Sequence, residues 1–198
     1  MDCNKQFLNL IKNTQNLSTI KNFYQKHKNN IDIHYENNNA FRHACMFRDL
    51  KLCQWLYSLD KPESFNIHCY NDICFTFNCQ YGNLELCKWL WTLDTPKSFN
   101  IHYDNDYAFR RAYLSGKLKL CQWLYSLDTP ESFNIHYYND YTFQLACSSG
   151  NLKLCKWLYS LDTPQSFNIH SHNDFAFQLA CRSGNLKVCK WLYSLDTP

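Results

Sequence analysis

Cysteine and histidine recur in this chain at fixed spacings, and both residue types can bind metals. The sequence contains 12 Cys and 8 His. Pairs of cysteines separated by eight positions are Cys45/Cys53, Cys79/Cys87, Cys147/Cys155 and Cys181/Cys189. A structural zinc site needs four converging ligands, commonly from close CxxC pairs, and the sequence has no CxxC. Tyr113 also stands where a further pair would have its first cysteine. We therefore interpret the cysteines as small core residues.

A histidine recurs every 34 residues, at His34, His68, His102, His136 and His170. Packed helices lie about 8–10 Å apart, so equivalent imidazoles of successive repeats are too far apart to share a metal. Zn–N bonds are only about 2.0–2.1 Å long. We expect a structural role, in which each imidazole hydrogen-bonds to backbone of its own or the neighbouring loop.

Sequence signatures of catalysis are missing. There is no nucleophile elbow, no phosphate-binding glycine loop and no HExxH. The formal net charge is only +3, so the chain lacks the charge footprint of a nucleic-acid-binding protein. The recurring tryptophans could stack on bases, but their helical positions favour packing between helices. We expect no catalytic residues, no cofactor and no metal, and nucleic acid is not the expected partner.

The fixed spacings follow from an internal repeat. KLCQWLYSLD occurs at 51–60 and at 119–128, and 119 − 51 is 68, which is twice 34. FNIH begins at residues 65, 99, 133 and 167, and IDIH begins at 31. The sequence therefore predicts five units, at about 31–64, 65–98, 99–132, 133–166 and 167–198. Residues 1–30 resemble a degenerate, more polar sixth unit, which suits a cap at the N-terminal end.

Each unit is predicted to contain two short helices. In the unit that begins at 133, Asp140 is placed to be an N-cap, and Gly150 sits where the first helix would end in a left-handed residue. The second helix starts near Asn151 and buries leucines and a cysteine. A proline stops it, and these prolines are Pro62, Pro96, Pro130, Pro164 and Pro198.

The unit resembles an ankyrin repeat. YTFQLACSSGNL at 141–152 is similar to TPLHxAAxxGHL, and KLCKWLY at 153–159 is similar to EVVKLLL. With the Asn-rich composition, FNIH, GNL and KWLYSL look like the ankyrin-repeat proteins of mimivirus-like giant viruses. The resemblance covers 31–198 and implies an all-α repeat solenoid of helix-turn-helix units with hairpin-like loops. The Thr-Pro of TPLH is absent, so the resemblance is weakest at the loops.

Ankyrin repeats generally bind proteins through loop tips and the exposed side of the first helix. In this chain the matching positions vary between units, whereas the predicted core repeats. From them we predict the partner-binding residues Tyr35, Arg42, Tyr70, Tyr81, Tyr103, Asp104, Arg110, Tyr137, Tyr138, Gln144, His172, Gln178 and Arg182. Tyr and Arg are common at interaction hot spots.

The resemblance therefore implies a non-catalytic scaffold that binds a protein partner, as a viral effector acting on host proteins. One alternative is an adaptor that recruits substrates for ubiquitination. Another is a metal- or redox-responsive protein that uses its Cys and His. The final helix is as apolar as the internal ones, so self-association through an uncapped C-terminal repeat is a further expectation. The sequence shows no signal peptide and no transmembrane segment, and we expect an intracellular protein of the host cytoplasm.

Overall fold

The computed structural model describes residues 2–14, 16–61, 65–94, 99–128, 133, 135–161 and 167–195, with backbone alone at 137–139. These residues form α-helices and no strand, which confirms the all-α class. The helices are α1 (Cys3–Asn13), α2 (Leu17–His27), α3 (Tyr35–Met46), α4 (Leu50–Tyr57), α5 (Cys69–Tyr81), α6 (Leu84–Leu93), α7 (Tyr103–Leu114), α8 (Leu118–Tyr125), α9 (Tyr137–Ser148), α10 (Leu152–Ser160), α11 (Ser171–Arg182) and α12 (Leu186–Leu195). A 3-10 helix follows α2 at Lys28–Asn30. None of the described helices is long and apolar enough for a membrane crossing.

The chain divides into two compact units. The first comprises Met1–Asn78 and Asn83–Phe99, and the second comprises Cys79–Gly82 and Asn100–Pro198. In the first, α1 packs against α2 and α3, and α3 packs against α4. In the second, α9 packs against α7, α10 and α11, while α12 packs against α10 and α11. Each unit is thus a stack of helix pairs, the arrangement expected of a helical repeat.

The sequence signals for the helix pair α9/α10 are confirmed. Gly150 has φ of 76°, a left-handed conformation that glycine adopts without steric cost, and it separates the two helices. The Asn151 side chain then accepts a hydrogen bond from the backbone N–H of Leu154 and caps α10. Leu154, Cys155 and Leu158 are buried on one side of that helix. Gly150 and Asn151 therefore set where α9 ends and α10 begins.

Tryptophan packs one helix pair against the preceding one. Within the second unit, the Trp157 ring lies 6.3 Å from that of Phe109 and 5.8 Å from that of Tyr125, the latter nearly perpendicular at 86°. Trp191 makes the equivalent contacts with Phe143 and Tyr159. Such edge-to-face contacts stabilise beyond the area they bury. The prediction that the tryptophans pack between helices is confirmed in this unit.

Three sequence predictions fall outside the described residues or differ from what is observed. The five prolines predicted to end the second helices are outside the described ranges, as are the side chains of Tyr137 and Tyr138. The hairpin-like shape of the loops is not confirmed, because the described residues contain no strand and parts of the loops lie outside them. The predicted N-cap Asp140 has φ of 65° and bonds instead to His136 and to the backbone N–H of Asn168.

Candidate protein-binding surface

We call the histidines that recur every 34 residues, His34, His68, His102, His136 and His170, the ladder histidines. In four of the repeats the tip is a turn of left-handed helical backbone that begins two residues after the ladder histidine. Residues 104–106 have φ of 48°, 53° and 60°, and residues 36–38, 70–72 and 172–174 have similar values. No glycine lies in these stretches, although left-handed backbone costs about 1–2 kcal/mol per ordinary residue. Asn and Asp tolerate it best, which explains why they recur there. Other contacts must hold the turn.

The ladder histidine is one of these contacts. In the second unit, His102 Nδ1 lies 2.5 Å from Asp106 Oδ1, and His102 Nε2 lies 3.0 Å from Asp128 Oδ2. Asp106 is the last residue of the left-handed turn, whereas Asp128 follows the second helix of the same repeat. The imidazole therefore ties the turn to the end of α8. For His102, bonds to two carboxylates replace the expected hydrogen bonds to backbone.

The first unit repeats the arrangement with one substitution. His34 Nδ1 lies 2.5 Å from Asn38 Oδ1, and His34 Nε2 lies 2.9 Å from Asp60 Oδ2. An amide thus replaces the first carboxylate. Burial lowers the pKa of His34, but the hydrogen bonds to Asp60 and Asn38 outweigh it, so the net pKa is raised above 6.5.

The same balance holds where two carboxylates flank the imidazole. Burial lowers the pKa of His102, and the bonds to Asp106 and Asp128 raise it by more, so the net pKa lies above 6.5. A protonated imidazole donates from both nitrogens, whereas a neutral one donates from only one. The bracket formed by His102, Asp106 and Asp128 is therefore strongest when the histidine is charged.

Three predicted partner-binding residues also hold the turn. Arg110 Nη2 donates to the carbonyl O of Asp104 at 2.6 Å and to its carboxylate at 3.3 Å. Arg42 Nη2 donates to the carbonyl O of Glu36 at 3.1 Å. Gln178 Nε2 donates to the carbonyl O of Asn173 at 2.7 Å. These side chains thus donate to backbone carbonyl groups of the left-handed turn. Part of the hydrogen-bonding capacity of the three side chains is therefore already used within the protein.

Gln144 occupies the equivalent position in α9 but is only 2% exposed. Its Nε2 lies 3.4 Å from Nδ1 of the exposed His172. A side chain with so little accessible surface offers a partner almost no contact area, because α11 packs against α9. That Gln144 binds a partner stays a prediction.

Aromatic side chains project from two of the tips and from the end of α5. Tyr70 and Tyr103 at the tips are 61% and 47% exposed, and Tyr81, the last residue of α5, is 45% exposed. In the first unit the Arg42 guanidinium lies 4.6 Å from the Tyr70 ring centroid, close enough for a cation–π interaction. Tyr35 is only half-buried. The other predicted residues for which side chains are described, Asp104, His172 and Arg182, are exposed.

The cysteines lie mostly in the core. Ten of the twelve are buried, and burial raises the pKa of the Cys45 and Cys121 thiols. Cys45 and Cys53 are in contact, with 3.7 Å between their sulfur atoms. Within the described residues no group of three or more His, Cys, Asp or Glu side chains is arranged to hold a metal. Cys181 is exposed and departs from the core interpretation.

The carboxylates that follow the second helices were missed in the sequence. Asp60 and Asp128 bind ladder histidines, and Asp94 is 1% exposed and accepts from the backbone N–H of Phe99 at 2.8 Å. A usable signal was present, because an Asp recurs 26 residues after each ladder histidine. This recurring Asp lies two residues before the helix-ending proline, and that position suggested only a turn.

Comparison with known proteins gives no relative to guide the interpretation. No protein-family model matches the chain, and no curated protein sequence matches it significantly.

Proposed function

We propose that this chain is a non-catalytic, ankyrin-like repeat scaffold that binds a protein partner through its tips and the adjacent first-helix surfaces. The observation that carries the proposal is the division between repeated and variable positions. Repeated leucines and phenylalanines such as Leu120 and Phe109 are buried, whereas the variable Tyr70, Tyr81 and Tyr103 are between 45% and 61% exposed. Large exposed aromatic side chains on a fixed backbone are what a protein-binding surface needs.

The rigidity of the tips supports the same proposal. Left-handed backbone is retained only where surrounding contacts hold it, and such conformations cluster at functional sites. Here a histidine on one side and an arginine or glutamine on the other hold the turn. A preorganised tip loses little conformational entropy when a partner binds, which favours affinity. These residues thus hold the backbone that carries the exposed tyrosines.

The finer parts of the proposal rest on the sequence resemblance. It favours a viral effector that acts on proteins of the host cytoplasm. An adaptor that recruits substrates for ubiquitination would bind its substrate through the same surface. The effector and the adaptor therefore differ in the additional proteins that each would bind. Ubiquitin-ligase subunits among the captured proteins would favour the adaptor.

Photo-crosslinking from the tips tests the binding surface. The variants carry a photoreactive phenylalanine analogue at Tyr103, or at Lys119 as a matched control, because Lys119 is also exposed but lies on the second helix of the same repeat. In host-cell lysate we expect a discrete crosslinked protein from position 103 and none from position 119. A Tyr103→Ala variant should then capture less of that protein than a Lys119→Ala variant. Equal crosslinking from both positions, or equal capture by both alanine variants, would refute the proposed surface.

A further inference from the structure

The cysteine pair Cys181/Cys189 differs from the equivalent pairs in its access to solvent. The Cys181 and Cys189 sulfur atoms lie 3.4 Å apart, in contact between α11 and α12. Cys181 is exposed, and Cys189 is 8% exposed. In the preceding repeat the Cys147 thiol likewise hydrogen-bonds with Cys155, but both residues are 0% exposed. Two chemically equivalent dithiols in one unit therefore differ in whether a solute can reach them.

Contact between the two sulfur atoms makes an internal disulfide geometrically accessible. A disulfide needs about 2.05 Å between the sulfurs, so the pair must close by a little over 1 Å. Both side chains are short, and they already face each other from adjacent helices. The sealed pair Cys45/Cys53, in the first unit, has a similar sulfur separation of 3.7 Å. Exposure to solvent, rather than the distance between the two sulfur atoms, distinguishes Cys181/Cys189 from the buried cysteine pairs.

We propose that Cys181 and Cys189 form a redox-sensitive dithiol that a low-molecular-weight disulfide oxidises to an internal disulfide. The exposed Cys181 thiolate attacks one sulfur of the small disulfide, forms a mixed disulfide and releases one thiolate. Cys189 then loses its proton and attacks the Cys181 sulfur, which releases the second small thiolate. The protein loses two electrons and two protons, and one small disulfide is reduced to two thiols.

The division of roles follows from burial. Cys181 is exposed, whereas Cys189 is only 8% exposed, so Cys181 is the attacking thiol. Burial and the hydrogen bond to Cys181 raise the pKa of Cys189, which keeps it protonated until the mixed disulfide forms beside it. The product joins α11 to α12 and closes a short loop, so it acts on the stability of this helix pair. The dithiol chemistry does not depend on the proposed partner-binding surface, although Cys181 lies on the same helix as Gln178 and Arg182.

Oxidation with glutathione disulfide tests the proposal on the reduced, folded 198-residue protein. Trypsin cleaves after Arg182, Lys187 and Lys190, so a Cys181–Cys189 disulfide links two separate peptides that mass spectrometry identifies. The wild type should lose two hydrogen atoms and yield this linked species. Amide exchange in α12 should then slow by roughly tenfold to a hundredfold, as expected for closure of a short loop.

Two variants separate the steps. Cys189→Ser should retain one glutathione on Cys181, because no second thiol displaces it, whereas Cys181→Ser should carry none on the tryptic peptide that contains Cys189. Cys147→Ser is the matched control from the sealed pair and should behave as the wild type. Circular dichroism confirms that each variant is folded, and if Cys189→Ser is not, the wild type and Cys181→Ser decide.

Three results would overturn the proposal. The first is a wild type that stops at a glutathione adduct without forming the internal disulfide. The second is oxidation of Cys147 and Cys155 as fast as that of Cys181 and Cys189, because access would then not be the controlling property. The third is a disulfide between Cys181 residues of two molecules as the main product.

Discussion

Replacing Asp106 tests whether the histidine bracket holds the left-handed turn of α7. Asp106 is 3% exposed, accepts from His102 and has φ of 60°. The chain supplies its own conservative variant, because Asn38 occupies the equivalent position beside His34. Asp106→Asn should therefore keep the hydrogen bond and lose the charge. Asp106→Ala should lose both, together with the tolerance of Asp for left-handed backbone.

The magnitudes follow from these losses. A hydrogen bond to a charged group contributes about 1.5–3 kcal/mol, and one between neutral groups about 0.5–1.5 kcal/mol. Alanine in left-handed backbone adds a steric cost of roughly 1 kcal/mol relative to Asp. We expect Asp106→Ala to lower the free energy of unfolding by about 2.5–4 kcal/mol and Asp106→Asn by about 1 kcal/mol. Urea denaturation of wild type and both variants measures the differences.

The difference between wild type and Asp106→Asn should also depend on pH. The pKa of His102 is raised in the folded state, so the stability that it contributes is full below pH 6.5 and is lost as pH rises through the folded-state pKa. The loss caused by Asp106→Asn should thus be larger at about pH 6 than at about pH 8.5. A difference that is constant over this range, or a near-neutral Asp106→Ala, would refute the bracket as the support of the turn.

Three further perturbations test the packing. Trp157→Ala should lower the free energy of unfolding in urea by about 3 kcal/mol, because it empties the site between two helix pairs, and a loss under 1 kcal/mol would contradict this role. Gly150→Ala and Gly184→Ala should each lower the free energy of unfolding by about 1 kcal/mol, because both glycines have positive φ. Gly150→Ala should cost more, because its new Cβ would clash with Asn185, whereas Gly184 has open space around it. Equal melting temperatures of the two variants would contradict the clash. Tyr193 is 67% exposed, so Tyr193→Ala should change the free energy of unfolding by no more than about 0.5 kcal/mol; a loss above about 1 kcal/mol would contradict its position outside the packed core.

The histidine ladder shows how far sequence reasoning reached at the tips. The 34-residue step indicated a structural role for the five histidines, whereas Asp140, at the end of this segment in its repeat, was interpreted as a helix N-cap. The left-handed helical turn itself was not predictable, because no single residue there favours it strongly. Its support comes from Asp128, which lies 26 residues after His102 and is brought beside it only by the folding of the helix pair. The same limit applies to Arg110, whose backbone partner depends on that turn.

By itself the sequence determined the period, the all-α class, the two helices of each repeat and most of the buried residues. These features are encoded locally, by Gly150 and Asn151 at helix ends and by apolar residues at helical spacing. Exposure was decided by the tertiary structure, because it depends on what a neighbouring helix covers. Gln144 is buried and Cys181 is exposed for that reason, although each belongs to a column of equivalent positions in the repeat. Repetition in sequence gives equivalent positions, but only packing gives each copy its own environment.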